Sequence, residues 1–305
     1  MRSKWQRFRE SYFLFSFLRD PVAYISFTVL VILVFSAFAA PLIAPHNPYD
    51  MSTIDIMDSE LPPAWSAQGN SAFLLGTDAQ GRDMFSTILY GMRVSIIIGV
   101  GAVALQAFIG IIVGLLSGYV RKLDTILMRI ADVQLSFSTY MVAIFIGAIF
   151  QTVFGVGDYE KVAIPLLILI IGLAEWPQYA RTVRASVLAE RKKEYVEAAR
   201  VIGLSKIRIM WRHILPNALS PVLVISTVQV ANAIMSEAAL SFLGLGMPVT
   251  KPSLGSLITA GFEYIFSGSW WITIFPGIVL VGLIFVINLL GDWVRDFLNP
   301  KLYKG

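Results

Sequence analysis

Six apolar runs, each long enough to cross a lipid bilayer as a helix, constrain this chain more than any other feature. They cover residues 22–44, 94–120, 135–154, 162–179, 219–245 and 271–290. A hydrocarbon layer about 30 Å thick takes about 20 residues at a 1.5 Å rise. Lipid offers backbone groups no hydrogen-bond partner, so runs of this kind must close their own bonds as helices. The reading is an all-α polytopic membrane protein with six transmembrane helices. The first run follows Arg2, Lys4, Arg7, Arg9 and Arg19 and contains Ala37-Phe38-Ala39, a pattern that a cleaved signal peptide also shows. At 23 residues it is longer than a signal h-region and reads as a retained span.

The basic residues orient these spans. Of 24 Lys and Arg residues, 20 fall in four clusters: the five just named; Arg121, Lys122 and Arg129; nine between Arg181 and Arg212; and Arg295, Lys301 and Lys304. Only Arg82, Arg93, Lys161 and Lys251 lie on the other side. The positive-inside rule therefore predicts that both termini and the 181–217 loop are cytoplasmic. The chain divides into a cytoplasmic segment (1–21), a first span (22–44), an extracytoplasmic segment (45–91), a five-helix core (92–300) and a tail (301–305).

Several chemistries are excluded. Apolar residues make up 56% and charged residues 14% of the chain, so the formal charge of +4 concerns orientation in a bilayer and not a nucleic-acid groove. There is no cysteine, and His46 and His213 stand far apart, which leaves no thiolate or histidine set for a metal. No Gly-Lys pair exists to build a phosphate-cradling loop, HExxH is absent, and Ser117-Gly118 lacks the glycine that a nucleophile elbow needs at position 115. A secondary transporter would carry ionisable groups in several spans. Here Glu237 is nearly alone, with Glu175 read as close to the inner boundary. A secondary transporter or channel working alone is nevertheless the alternative from a different class.

The loop from 194 to 217 is polar and basic. Residues 181–202 lack Pro and Gly and predict a helix, with Gly203 as a left-handed stop. A second short helix is expected from residue 204 or 205 to 215, and Pro216 suits the first turn of the next. Ala198 and Ala199 leave room for a partner to approach, while Arg200, Lys206, Arg208 and Arg212 keep the loop in water. The competing reading is a basic loop held at lipid headgroups. Before it, Arg181 and Arg184 either lead into the loop or anchor their helix at the headgroups.

Outside the membrane, Thr77 with Gln80 matches a capping box, and Met84, Phe85, Ile88 and Leu89 share one helical face. A short amphipathic helix along the outer surface is expected. In the second span Gly110, Gly114 and Gly118 form a smooth face for close helix packing. In the fifth, Gln229, Asn232 and Ser236 share a face, with Glu237 about 80° round. Polar groups at that depth meet either another helix or an aqueous path and partner subunit.

Four separated blocks resemble one family. Glu197-Ala198-Ala199, Gly203 and Leu215-Pro216 fall at the spacing of the EAA loop of permease subunits of ABC importers. Gly76, Thr77, Asp78, Gly81, Arg82 and Asp83 form a GTDxxGRD block similar to that of the C-type permeases of dipeptide, oligopeptide and nickel importers. Residues 237–246 and 291–301 resemble the same family. The sequence departs from it at Leu254, where a tryptophan is usual, and at Trp293 and Asn299; His213 stands where the broad ABC consensus often has an aliphatic residue, although His-Ile-x-Pro-Asn resembles the peptide-importer version. The resemblance implies a type I ABC importer permease fold, with a cytoplasmic coupling-helix loop of Glu194, Glu197, Ala198, Ala199, Gly203, Leu215 and Pro216 and a substrate path past Gln229, Asn232, Ser236 and Glu237. It implies no catalytic residue, metal or cofactor in this chain, with ATP and Mg bound by two partner ATPase subunits. A homologous B-type permease, an extracytoplasmic solute-binding protein, membrane lipid and peptide cargo complete the implied set, without nucleic acid, in a bacterial inner membrane. Nickel complexes and antimicrobial peptides are the alternative cargoes.

Overall fold

The computed structural model describes residues 12–50, 54–154 and 156–298. Arg2, Lys4, Arg7 and Arg9, and the tail from Asn299 through Lys301 and Lys304, lie outside the described residues. Helix α1 (Tyr12–Arg19) is followed by α2 (Pro21–Phe38). Asp20 starts α2 by accepting hydrogen bonds from the Val22 and Ala23 amides, and Pro21 sits where its missing N–H costs nothing. The first apolar run does not stay one helix: it breaks at Ala39, and a single turn, α3 (Ala40–Ile43), carries Pro41.

The centre of the molecule is α4 (Met84–Tyr119), 36 residues and about 54 Å long. The amphipathic segment expected on the outer surface is its first turns, continuous with the second span. Its cap is not Thr77: the Asp83 carboxylate accepts from the Ser86 amide at 2.9 Å. Next come α5 (Arg121–Leu135) and α6 (Thr139–Phe154), bent by 87° from each other. Among the described residues, five helices are long and apolar enough to cross a membrane, or six if this bent pair counts as one span; its apolar part begins at Thr139, four residues later than the apolar run suggests, because α5 carries Arg121, Lys122, Asp124, Arg129 and Asp132.

Helix α7 (Val156–Glu190) contains Pro165 and Pro177 and outruns the fourth apolar run. It packs on α4 at very close range. A Cβ on Gly114 would lie 2.5 Å from the Ala180 carbonyl oxygen, and one on Gly118 would lie 2.7 Å from the Val187 Cβ. Further along, Gly101 of α4 faces Ile168, and Gly172 of α7 faces Leu105. Residue numbers rise together along both helices, so α4 and α7 are parallel. Parallel neighbours need a crossing between them, which α6 provides.

The expected helix over 181–202 is also interrupted. Helix α7 ends at Glu190, residues 191–193 turn, and α8 (Glu194–Val201) starts afresh. The chain then forms α9 (Lys206–Ile209), a π-turn at Met210–Ile214, and α10 (Leu215–Ala218). Helix α11 (Ser220–Phe242) is the fifth span and α13 (Trp271–Phe297) the sixth. Between them lies α12 (Leu254–Phe262), unforeseen from the sequence, capped by Ser253 and Ser256 hydrogen-bonding each other's amides. Two buried cores result. One joins α4 to α7 and the 196–222 loop; the other joins α4 to α2, α11, α12 and α13.

Gly114→Leu must push α4 and α7 apart, at an expected cost of about 1–3 kcal/mol. Gly282→Ala, whose new Cβ would meet nothing within 4 Å, should be nearly neutral. Thermal melting of the detergent-solubilised protein compares the two, and an unchanged midpoint for Gly114→Leu would contradict this packing.

Candidate functional site

At the end of the bundle where α7 stops, the 190–219 segment is held by side chains. Arg191 donates to the carbonyls of Gly118 and Tyr119, both at 3.2 Å, capping the end of α4. Lys193 and the Tyr195 hydroxyl each donate to a Glu190 carboxylate oxygen at 2.6 Å, and Asn217 donates to the His213 carbonyl at 2.8 Å. Burial and the adjacent Glu190 carboxylate push the Tyr195 phenol up to about 12, so it is a neutral donor at physiological pH. Arg184 and Arg181 each meet a carboxylate of α5. Arg184 forks onto the Asp124 carboxylate, with its Nη2 at 2.7 Å, and Arg181 meets Asp132 at 2.6 Å. Both thereby strap α5 to α7.

Gly203 ends α8 with a φ of +83°, and the Leu204 amide reaches back to the Ala199 carbonyl at 3.1 Å. This is a Schellman turn, which favours glycine because a Cβ disfavours positive φ. Glu194, Glu197, Ala198, Gly203 and Pro216 are exposed, Leu215 is half-buried, and Ala199 is buried with Val196 against the bundle. What sequence reasoning missed is an apolar tip. Val201 is 88%, Ile202 77% and Ile207 69% exposed, with Trp211 beside them at 48%. The signal was there: three aliphatic side chains among otherwise charged loop positions. An apolar surface of this kind outside the membrane marks an interaction site.

At the opposite end, the GTDxxGRD block is a closed, buried turn. Thr77 bridges to Asp83 as an antiparallel pair, and its hydroxyl donates to the Asp58 carbonyl while accepting from the Leu61 amide. The Asp78 carboxylate accepts from the Gln80 and Arg82 amides, both at 2.9 Å, and from Arg82 Nε at 2.7 Å. Arg82 then donates to the Val249 carbonyl at 2.8 Å, and Trp271 Nε1 donates to the Thr77 carbonyl at 3.0 Å. Gly76 and Gly81 take positive φ values, where any Cβ would run into the carbonyls of Leu61 and Asp55. Together the motif residues tie the 54–83 segment to the 247–271 segment.

Inside the bundle the four polar residues of α11 part company. Asn232 donates to Gln229 at 2.7 Å and is the only one of the four that is not buried. Ser236 donates at 3.2 Å to Glu175, which also accepts from Gln106 at 3.3 Å. Glu175 thus lies among α4, α7 and α11. Glu237 is completely enclosed and accepts from Ser253 at 2.6 Å, Ser241 at 2.8 Å and Ser95 at 3.1 Å. Its carboxyl group thereby braces α4, α11 and the start of α12. Among the described residues no group of three or more His, Cys, Asp or Glu side chains is placed to hold a metal ion.

Residues 106–304 match the model of the binding-protein-dependent transport system inner membrane component, and residues 3–63 match that of the N-terminal TM domain of oligopeptide transport permease C. The chain belongs to this permease family. Its members are the membrane subunits of ABC importers, in which separate subunits hydrolyse ATP, so the chain is a permease and not an enzyme. A dipeptide transport system permease protein of Haemophilus influenzae is 35% identical over 95% of this chain and 94% of its own length. The Escherichia coli K12 protein of that name is 36% identical over 94% and 91%. A putative peptide transport system permease of Brucella suis is 39% identical over 91% and 87%. Inward-facing structures of the MetNI methionine ABC transporter share the fold, with a TM-score of 0.57 at 19% identity, covering 71% of this chain and 98% of that one. The permease is therefore a multi-pass inner-membrane protein of the type I ABC importer fold, working with ATPase and substrate-binding subunits.

Removing the Arg82 side chain from its Asp78 partner leaves a buried carboxylate unpaired. Arg82→Met should cost about 3–5 kcal/mol locally and free the 247–253 segment. Limited proteolysis of the detergent-solubilised protein measures this, and wild-type resistance to cleavage near Val249 would refute the clamp.

Proposed function

We propose that this permease is half of the translocation pore of an ATP-driven importer of short peptides. Its other half is a homologous B-type permease, and an extracytoplasmic binding protein delivers the cargo. The carrying observation is the apolar tip of the 194–217 loop, a surface ready for a protein partner at the more basic end of the bundle. In this reading that end and both termini are cytoplasmic, and two ATP- and Mg-binding subunits dock there. Glu194, Glu197, Ala198, Ala199, Gly203, Leu215 and Pro216 form the coupling loop, with Val201, Ile202 and Ile207 as its contact tip. The close packing of α8 on the bundle through Val196 and Ala199 lets a push on the tip move α7 and α11 as rigid levers.

Peptide cargo is supported by the names of the full-length relatives. The described spans contain no cysteine or histidine to take a bare metal ion, and a weak polar lining suits release. Asn232, with Gln229 behind it, is the proposed cargo-facing pair. Ser236 and Glu237 serve the same path by holding α11 against α7 and α12. Gly76, Thr77, Asp78, Gly81, Arg82 and Asp83 shape the outer rim that meets the binding protein.

Three measurements test this. A single cysteine at Ser205 should resist an impermeant thiol reagent in intact cells and react in inverted vesicles; labelling in intact cells sinks the orientation. Gly203→Leu forces a side chain onto a left-handed turn at a cost of about 1–2 kcal/mol. It should abolish transport while insertion persists, and Gly203→Asn should restore much of it; normal transport in Gly203→Leu refutes the coupling role. In liposomes holding the whole assembly with its binding protein, di- to octapeptides should stimulate ATP hydrolysis. Stimulation by nickel complexes alone would overturn the peptide assignment and leave the permease reading intact.

A further inference from the structure

The two limbs of the 194–217 loop meet at one hydroxyl. Tyr195 is the second residue of α8, and its phenol donates at 2.6 Å to Glu190, the last residue of α7. Asn217 of α10, 22 positions further along the chain, donates to the same phenol oxygen at 3.3 Å and to the His213 carbonyl at 2.8 Å. That carbonyl also lies 3.4 Å from the phenol. The backbone around it is irregular. Met210–Ile214 forms a π-turn in which the Leu215 amide reaches back to the Met210 carbonyl, and Pro216 has no amide to offer the turn before it. Side chains supply donors to the His213 carbonyl there.

The joint sits outside the core. Tyr195 and Asn217 are exposed, whereas Val196, Ile214 and Ala218 beside them are completely buried. Those neighbours seat the two limbs: Val196 packs into the core shared with α7, and Ala218 leads directly into α11. Exposed hydrogen bonds compete with water and contribute little net stability, so the fold does not depend on the hydroxyl. Between the limbs the loop runs out to Val201, Ile202 and Ile207 and turns at Gly203. Glu190 is where α7 ends, so a tie at that residue fastens both limbs to the helix that packs on α4. Burial and the Glu190 carboxylate push the phenol up to about 12, which keeps the joint in one hydrogen-bonding state at physiological pH.

We propose that Tyr195 is a positioning residue for coupling. Its hydroxyl, with Glu190 and Asn217, closes the loop at its base, so that a displacement of the tip reaches α7 and α11 together. With the hydroxyl gone the limbs pivot separately about Gly203, and ATP is hydrolysed without a matching movement of the spans. None of these three residues belongs to the coupling set that the family resemblance implies. The inference rests on the coupling role proposed above and adds where in the loop the movement is divided.

The test uses the whole assembly with its binding protein in liposomes and reads peptide imported per ATP hydrolysed, with whichever di- to octapeptide stimulates the wild type most. Tyr195→Phe, which removes only the hydroxyl, should lower this ratio about fivefold or more while the ATPase subunits stay bound and ATP is still hydrolysed. Glu190→Gln keeps an oxygen that accepts from the phenol and should retain most of the ratio, whereas Glu190→Ala should fall with Tyr195→Phe. Adding Asn217→Ala to Tyr195→Phe should lower the ratio no further, because both break one joint. A wild-type ratio in Tyr195→Phe, beside a Gly203→Leu assembly that does not transport, overturns the joint and leaves the coupling loop standing. Normal transport in Gly203→Leu removes the coupling reading and this inference with it. Loss of the ATPase subunits from the Tyr195→Phe assembly also overturns the inference, because the hydroxyl then maintains the docking surface and does not divide its movement.

Discussion

The backbone contact between α4 and α7 is the constraint on which the rest of the permease depends. In lipid, helices gain little from burying apolar side chains against one another, so association rests on close van der Waals packing. Gly110, Gly114 and Gly118 let α4 lie directly on the backbone of Trp176, Ala180 and Arg184. That contact fixes two parallel spans in register, sets where Arg191 can cap α4, and places Arg184 opposite Asp124. The loop beyond Glu190 is thereby mounted on a closely packed pair of helices.

A second theme is how carboxylates survive inside the bundle. Unpaired charge in hydrocarbon is costly, and each buried carboxylate here is surrounded by donors from other helices. Glu237 draws hydroxyls from α4, from α11 and from the cap of α12, and Glu175 draws Gln106 and Ser236. Ser253 shows the economy of the arrangement: it caps α12 and donates to Glu237 with the same hydroxyl. These contacts give helices without polar interfaces a single mutual arrangement. The GTDxxGRD turn does the same at the end of the bundle opposite the 190–219 segment, joining two segments that would otherwise connect only through the helices.

Much of the functional region was legible because it is local. The left-handed stop at Gly203 follows from a glycine after a run of helix formers, and the glycine face of α4 follows from a four-residue period. The capping box at Thr77 was misread for an instructive reason. Its side chain had a better use in pairing with the Asp58 and Leu61 backbone, and Asp83, six residues on, took the cap. The break at residues 191–193 was equally invisible: helix propensity runs through it, and only the pull of Arg191 onto the end of α4 and of Val196 into the core turns the chain there.

The sequence by itself determined that this protein is built from apolar helices of bilayer length and which family it resembles. These depend on composition, run length and short spacings, all properties of neighbours along the chain. Tertiary structure alone decided which polar group meets which. A helical period shows that Glu237 lies near the face of Ser236, yet not that Ser95, 142 positions away, would donate to it. Nor could periodicity show that Val201, Ile202 and Ile207 are left outside every core, or that Asn217 would reach the Tyr195 hydroxyl, 22 positions away. Those outcomes depend on how closely two backbones approach, and that distance is set by pairs of residues that the sequence does not place side by side.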